Sequence, residues 1–263
     1  MAGRIEVDGA VLACEDSGGG GPAVLFLHGL GGSANGWLGQ LRACEERGWR
    51  GIAPDQRGCG RSPATGPLSV ERWTADAVGL LDALEVERAA LVGHSMGCMV
   101  AERAAHELGE RVWALALCGG TVAWPNGAAA GFEQRARLAR EGRMDEIAEA
   151  VAATGLSERC RGRDPRLLGL MREAIAGNDG SAYADACKAV AVASMRGPEG
   201  LGCPVLAFCG EADPVTPPAA AEAIAAAAPV GRFATVPGAA HWCMIEDPQA
   251  TNRLLFGFLE EAG

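Results

Sequence analysis

The sequence predicts an α/β fold: a mostly parallel central sheet with helices on both faces, interrupted by one long helical insertion. Three observations carry this. Short apolar runs of strand length alternate with segments of helix length between residues 23 and 117, the βα alternation of a parallel sheet. The run Ala23-Val-Leu-Phe-Leu27 is apolar at every position, as a strand covered on both faces must be. The alternation then stops near Thr121, and strand chemistry resumes only at Pro204.

Residues 4–7 and 11–15 read as short strands of a hairpin, followed by a flexible turn, Ser17-Gly-Gly-Gly-Gly21, and the central strand 23–27. A helix is expected near 36–47, a strand near 50–53, a helix near 70–84 and a strand over 89–92. A helix over 96–108 and a strand over 112–117 complete the first half. The uncharged stretch 112–132 is punctuated by Gly119, Gly120, Pro125, Asn126 and Gly127. It therefore reads as a buried strand and a loop, not a membrane span. Residues 121–197 read as several helices, with apolar spacing in 132–139 and 147–151 and breaks at Gly155, Gly162, Pro165 and Gly177. After the strand 204–208, Pro217-Pro218 opens an alanine-rich helix, where proline is tolerated because the first-turn N–H has no intrahelical partner. A strand over 232–236 and a helix over 248–259 end the chain. The expected organisation is a core of residues 1–120 and 198–263 with a helical cap, 121–197, inserted in it.

Composition narrows the function classes. The 263 residues are 49% apolar and 21% charged, ordinary for a folded domain and wrong for a disordered one. Net charge is −10, and Lys188 is the only lysine. A Walker-type phosphate loop is thereby excluded, and there is no basic face to hold nucleic acid or an anionic membrane. Arg4, Glu6 and Asp8 interrupt the first eight residues, so no apolar export signal is expected there. No two of the ten cysteines have the two-residue spacing of a metal or redox pair. They are expected to be reduced, mostly buried thiols in a cytoplasmic protein. Residues 121–197 carry ten arginines and one lysine against ten acids, a near-neutral insert on an acidic body; solvated helix surface or an arginine-lined anion site would both fit.

The sharpest chemical signal is Gly93-His94-Ser95-Met96-Gly97, between an apolar strand and a helix. In that setting the glycines permit a sharp turn that lifts the serine hydroxyl clear of the sheet. A serine hydroxyl needs a base, and the base needs an orienting acid. Of the four histidines, His28 follows the third strand, His94 is inside the turn and His106 is mid-helix. His241, in Gly238-Ala-Ala-His241-Trp242 just past the last strand, remains as the base. The acid belongs in the loop Gly210-Glu211-Ala212-Asp213-Pro214, where both Glu211 and Asp213 are candidates. His28-Gly29-Leu30-Gly31-Gly32 lets backbone N–H groups approach a developing negative charge. The N–H groups of Leu30 and Met96 are the expected oxyanion hole. The G-x-G-x-x-G spacing of a dinucleotide site is absent from this loop.

These motifs together resemble the α/β-hydrolase superfamily over essentially the whole chain. The carrying residues are His28–Gly32, the loop Asp55-Gln-Arg-Gly-Cys-Gly-Arg-Ser62, Gly93–Gly97, Asp213 and His241. The resemblance favours Asp213 over Glu211 as the acid, in the chain order Ser95, Asp213, His241. It makes the Asp55–Ser62 loop structural; its Cys59 could face solvent, without a catalytic role. Ala182-Tyr-Ala-Asp-Ala-Cys187 and Thr216-Pro217-Pro218 resemble the 3-oxoadipate enol-lactonases and related carboxylesterases. His94 departs from many enol-lactonases and matches general esterases. Haloalkane dehalogenases and epoxide hydrolases of this fold use aspartate where this chain has Ser95.

The resemblance implies a serine hydrolase with no cofactor and no metal, cleaving an ester or lactone of a small to medium substrate. His28, Gly29, Trp37, Trp124 and Trp242 are the expected substrate-binding residues. The cap arginines make a carboxylate-bearing, enol-lactone-like substrate the expectation, since arginine clamps carboxylates bidentately. Trp242 beside the base keeps open the carbon–carbon bond hydrolases of ring-cleavage products. A ligand-binding, receptor-like member of the fold is the other alternative. The expected partner is the small-molecule substrate, with no nucleic acid and no membrane; a homo-oligomer is left open.

Overall fold

The computed structural model describes residues 2–125 and 127–263; Asn126, one of the punctuating residues named above, lies outside them. Strands β1 (Ala2–Val7) and β2 (Ala10–Asp16) form an antiparallel hairpin with Val7 opposite Ala10. Its two-residue turn, Asp8-Gly9, has φ of 45° and 71°, the left-handed geometry that matches strand twist and favours Asp-Gly. β2 pairs antiparallel with β4 (Arg50–Pro54). From β4 onward every pairing is parallel, through β3 (Ala23–Leu27), β5 (Ala89–His94), β6 (Val112–Cys118), β7 (Val205–Gly210) and β8 (Gly231–Val236). The order across the eight-stranded sheet is β1-β2-β4-β3-β5-β6-β7-β8.

All five residues of β3 are buried, which explains its uninterrupted apolar run. Leu25 and Leu27 join the core beneath α2 (Val70–Ala83), α3 (Met96–Leu108) and α9 (Pro218–Ala227). Val24 and Phe26 join the opposite core, beneath α1 (Leu38–Glu46) and α11 (Pro248–Ala262). Helix starts follow side-chain capping of orphan N–H groups. Ser69 accepts from the Arg72 N–H at 3.1 Å, and Asp247 accepts from the Ala250 N–H at 2.9 Å.

Between β6 and β7 the chain forms α4 (Ala128–Arg140), α5 (Met144–Gly155), α6 (Glu158–Arg163), α7 (Pro165–Ala176) and α8 (Gly180–Ala191). α4 packs on α8 through Phe132, Ala136, Tyr183 and Cys187, all buried. Arg137, Arg140, Arg143, Arg166, Arg172 and Arg196 each pair with a carboxylate, mostly at exposed positions. Most of the insertion's positive charge is thus solvated helix surface.

All ten cysteines are free and buried. Cys59, whose exposure the sequence left open, is 3% exposed, and burial pushes its pKa up to about 12. The loop around it folds inward because Asp55 accepts the N–H groups of Ala34 and Arg61, and the Ser62 hydroxyl donates to the Asp55 carbonyl at 2.6 Å. Among the described residues no helix is long and apolar enough to cross a membrane.

Candidate active site

Ser95 stands between β5 and α3 with φ 53° and ψ −115°, a strained conformation for a residue with a side chain. The flanking glycines are required by contact, not flexibility. A Cβ on Gly93 would fall on the Gly97 carbonyl, and one on Gly97 would fall on the Leu27 carbonyl. The turn is therefore pressed backbone to backbone against the end of β3, and the half-buried Ser95 is carried to the carboxyl edge of the sheet. α3 begins at Met96, so its first N–H groups point at this edge without intrahelical acceptors.

His241 and Asp213 meet across the ends of β8 and β7. His241 Nδ1 lies 2.8 Å from Asp213 Oδ2, so Nδ1 carries the proton and Nε2 is left as the basic nitrogen. Asp213 is 3% exposed. Burial alone would raise its pKa, but the hydrogen bond and charge of His241 and the N–H groups of Thr216 and Val215 outweigh it. The carboxyl is held below its ordinary range. Glu211, the other candidate acid, instead accepts the Gly238 N–H at 2.9 Å on the exposed side of the loop.

His94, within the turn, is fully buried. Its Nε2–H donates to the His241 carbonyl at 3.0 Å, and its ring lies 4.7 Å from the His241 ring and 5.2 Å from Trp242. Burial, then the neighbouring His241, lower its pKa to about 3, so His94 is neutral and orients the loop instead of exchanging protons.

One cavity opens over these groups. Gly29, Leu30, Ser95, Met96, Trp124, His241 and Trp242 line it, so that residues from four separate segments of the sequence share one wall. Trp37 and His28 lie elsewhere. Trp37 ends a 3-10 turn, Ala34–Trp37, that tucks the indole under the sheet, fully buried and 5.2 Å from the Phe26 ring. His28 spends both ring nitrogens on backbone: Nε2 accepts the Gln56 N–H at 2.9 Å and Nδ1 donates to the Gly29 carbonyl at 2.8 Å. It shapes the glycine loop from beneath.

Three residues went unnoticed in the sequence as parts of the site. The Thr216 hydroxyl donates to Asp213 Oδ2 at 2.9 Å and lies 3.2 Å from His241 Nδ1. Gly119 has φ 61°, and a Cβ there would stand 3.1 Å from His241 Cε1. Arg135 of α4 is the one permanently charged side chain among the cavity's described lining residues. Its guanidinium lies 4.7 Å above the Phe132 ring. Thr216 left a signal as part of Thr216-Pro217-Pro218, and Arg135 as one of the ten arginines of 121–197, which the sequence does not tell apart. No cluster of three His, Cys, Asp or Glu is placed to hold a metal ion among the described residues.

The family described by the alpha/beta hydrolase fold matches residues 22–248. The chain belongs to this family. This hydrolase is 29% identical over 233 residues to 3-oxoadipate enol-lactonase 2 of Acinetobacter baylyi, covering 88% of this chain and 86% of that protein. A shorter match, 47% identical over 90 residues, joins it to an epoxide hydrolase of Caballeronia sordidicola; that match spans 33% of this chain and 27% of that protein. Among solved structures, a thermophilic esterase from Thermogutta terrifontis, described with malate bound, superposes with a TM-score of 0.92 at 27% identity, covering 100% of this chain and 99% of that one. The hydrolase is thus similar to proteins named for lactone, ester and epoxide chemistry.

Proposed function

We propose that this hydrolase cleaves a carboxylic ester or lactone through an acyl-enzyme on Ser95. The observation that carries the reading is Ser95, held at φ 53° on the wall of a cavity that also contains His241, whose Nδ1 is 2.8 Å from Asp213. Ser95 Oγ attacks the substrate carbonyl and His241 Nε2 takes its proton. Asp213 fixes the imidazole tautomer and stabilises the imidazolium that forms. The backbone N–H groups of Leu30 and Met96 receive the oxyanion. Collapse expels the alkoxide, protonated by His241, and water activated by the same nitrogen hydrolyses the acyl-enzyme.

Helices α4–α8 act as a cap over this cavity, which favours small and medium substrates. Arg135 supports a carboxylate on the substrate remote from the scissile bond. A cation beside an apolar wall, partly shielded from water, gains most from a bidentate anionic partner. The resemblance to an enol-lactonase and to an esterase described with malate bound agrees with this.

The test has two parts. Ser95→Ala should fold normally and lose stoichiometric fluorophosphonate labelling together with nearly all p-nitrophenyl acetate turnover; a variant retaining a large share of turnover refutes the acyl-enzyme. Matched esters with and without a remote carboxylate should then be compared in wild type and Arg135→Leu. The carboxylate should raise kcat/KM in the wild type by about 10-fold or more, the scale of one charge-assisted hydrogen-bonded pair, and the advantage should vanish in the variant. Neutral or long-chain esters preferred by the wild type would leave a general carboxylesterase.

A further inference from the structure

The segment carrying His241 is held at three successive residues. The Ala240 N–H donates to Glu246 Oε2 at 3.2 Å, the His241 carbonyl accepts from His94, and the Trp242 N–H donates to the Gly155 carbonyl at 3.0 Å. The first and third of these contacts lead into the inserted helices. Gly155 ends α5, and a Cβ there would stand 2.5 Å from Trp242 Cδ1, so the indole is seated directly on the helix end. Glu246, at the end of α10 (Cys243–Glu246), also accepts the Ser157 N–H at 2.9 Å and the Ser157 hydroxyl. Ser157 is in turn the N-cap of α6, its hydroxyl oxygen accepting the Cys160 N–H at 3.1 Å.

One carboxylate therefore takes three hydrogen bonds, one from the Ala240 N–H and two from Ser157 at the α5–α6 junction. The proton-transfer scheme uses neither Glu246 nor Ser157, and neither lines the cavity. Hydrogen bonds to an ionised acceptor are roughly twice as strong as neutral ones. Both N–H groups would lose that acceptor together if the carboxylate were removed.

We propose that Glu246 is a positioning residue. It clamps the Ala239–Ala240 peptide, one residue ahead of His241, to the cap at Ser157, so that docking of the inserted helices sets the position of the base. The proposal rests on the acyl-enzyme reading above. It ties the part of the molecule that selects the substrate to the part that performs the chemistry, with no contact between Glu246 and substrate.

The experiment compares Glu246→Gln, Ser157→Ala and Ser157→Thr, with Ser95→Ala as control, by p-nitrophenyl acetate kinetics well below each variant's Tm. Glu246→Gln keeps the shape and loses the charge-assisted acceptor. It should lower kcat by about 10- to 100-fold, the cost of displacing a catalytic group by up to an ångström, with KM nearly unchanged. Ser157→Ala should lower kcat in the same direction but less, and Ser157→Thr, which returns the hydroxyl, should restore it. Combining Ser157→Ala with Glu246→Gln should add nothing to Glu246→Gln alone, because both act through one carboxylate. Wild-type kcat in folded Glu246→Gln overturns the proposal. So does a loss in Glu246→Gln with none in Ser157→Ala, which would leave the cap out of the clamp. If Glu246→Gln does not fold, the Ser157 pair decides: a loss in alanine restored by threonine supports the clamp, and wild-type kcat in alanine overturns it. Ser95→Ala with retained turnover would refute the acyl-enzyme instead, a result distinct from wild-type kcat in Glu246→Gln beside an inactive Ser95→Ala.

Discussion

The turn around Ser95 and the inserted helices α4–α8 are built under opposite constraints. At the turn, backbone meets backbone: Gly93 presses on Gly97, and Gly97 on Leu27 and His28. In the insertion, Gly131, Gly162 and Gly169 would meet nothing within 4 Å if they gained a Cβ. Its arginines mostly face exposed carboxylates, pairs worth little individually. The sheet edge is thus over-determined and the insertion is loosely specified. Substitutions in the second region can therefore be absorbed without disturbing the first, except where the insertion meets the core, as at Gly155 on Trp242 and Ser157 on Glu246.

The largest expected effect breaks the tight side of that contrast. In Gly97→Ala the new methyl has only the Leu27 and His28 carbonyls to move against, with the His28 oxygen 2.7 Å away. A loss of about 4 kcal/mol or more is expected, or no folded protein at all. Thermal unfolding and soluble yield measure it, and a variant with near wild-type Tm would show that the turn has slack the structure does not suggest.

Next in size is the choice between the two acids of the 210–214 loop. Asp213→Asn should cost kcat ~10⁴-fold, because an amide cannot hold the imidazole tautomer. Glu211→Gln should leave kcat within a few-fold, since its partner is the Gly238 N–H. A reversed ranking in steady-state kinetics would move the acid to Glu211 while leaving Ser95 and His241 in place.

A third prediction concerns pH and the buried turn histidine. Burial, then the neighbouring His241, hold the His94 imidazole at about 3 when folded, against an ordinary value of 6.5. The unfolded chain therefore binds a proton that the native chain does not. The stabilisation is present above pH 6.5 and drains as pH falls toward 3, at up to ~1.4 kcal/mol per pH unit for this one group. His28, also depressed by burial, adds a contribution of the same sign. His94→Gln can still donate to the His241 carbonyl but does not titrate. Urea unfolding at pH 7, 6 and 5 should therefore show a shallower fall than the wild type; identical slopes would remove His94 from the acid sensitivity.

The smallest effect lies on the loose side. Gly169→Ala, inside α7 with open space around it, should stabilise the protein by about 0.5–1 kcal/mol through helix propensity. Esterase turnover should be unchanged. A destabilised variant would mean that the insertion is packed more tightly there than its contacts indicate.

Features dictated by local chemistry could be read without the fold. A strand buried on both faces must be apolar throughout, so 23–27 and 112–117 were legible as central strands. A serine between two glycines at a strand–helix junction, a histidine past the last strand and an acid past the strand before it were legible for the same reason. Each is defined by its immediate neighbours. Element ends moved by a residue or two, as at β7, which runs to Gly210, because hydrogen bonds to neighbouring strands set where a strand stops.

Which side chains share a wall was set by packing across the interior. Trp37 and Trp124 look equivalent in the sequence, yet a 3-10 turn buries one against Phe26 and the insertion brings the other to the cavity. Ten arginines in residues 121–197 could be counted, but not sorted into surface ion pairs and the one, Arg135, that lines the cavity. Thr216 and Gly119 join the site through His241, and Ser157 reaches it through Glu246, across separations that no local pattern encodes. The physical reason is the range of the forces: propensity, capping and apolar periodicity act within a turn or a strand. Contact across an interior depends on which element packs beside which, and that is settled only when the whole sheet and its helices have closed on one another.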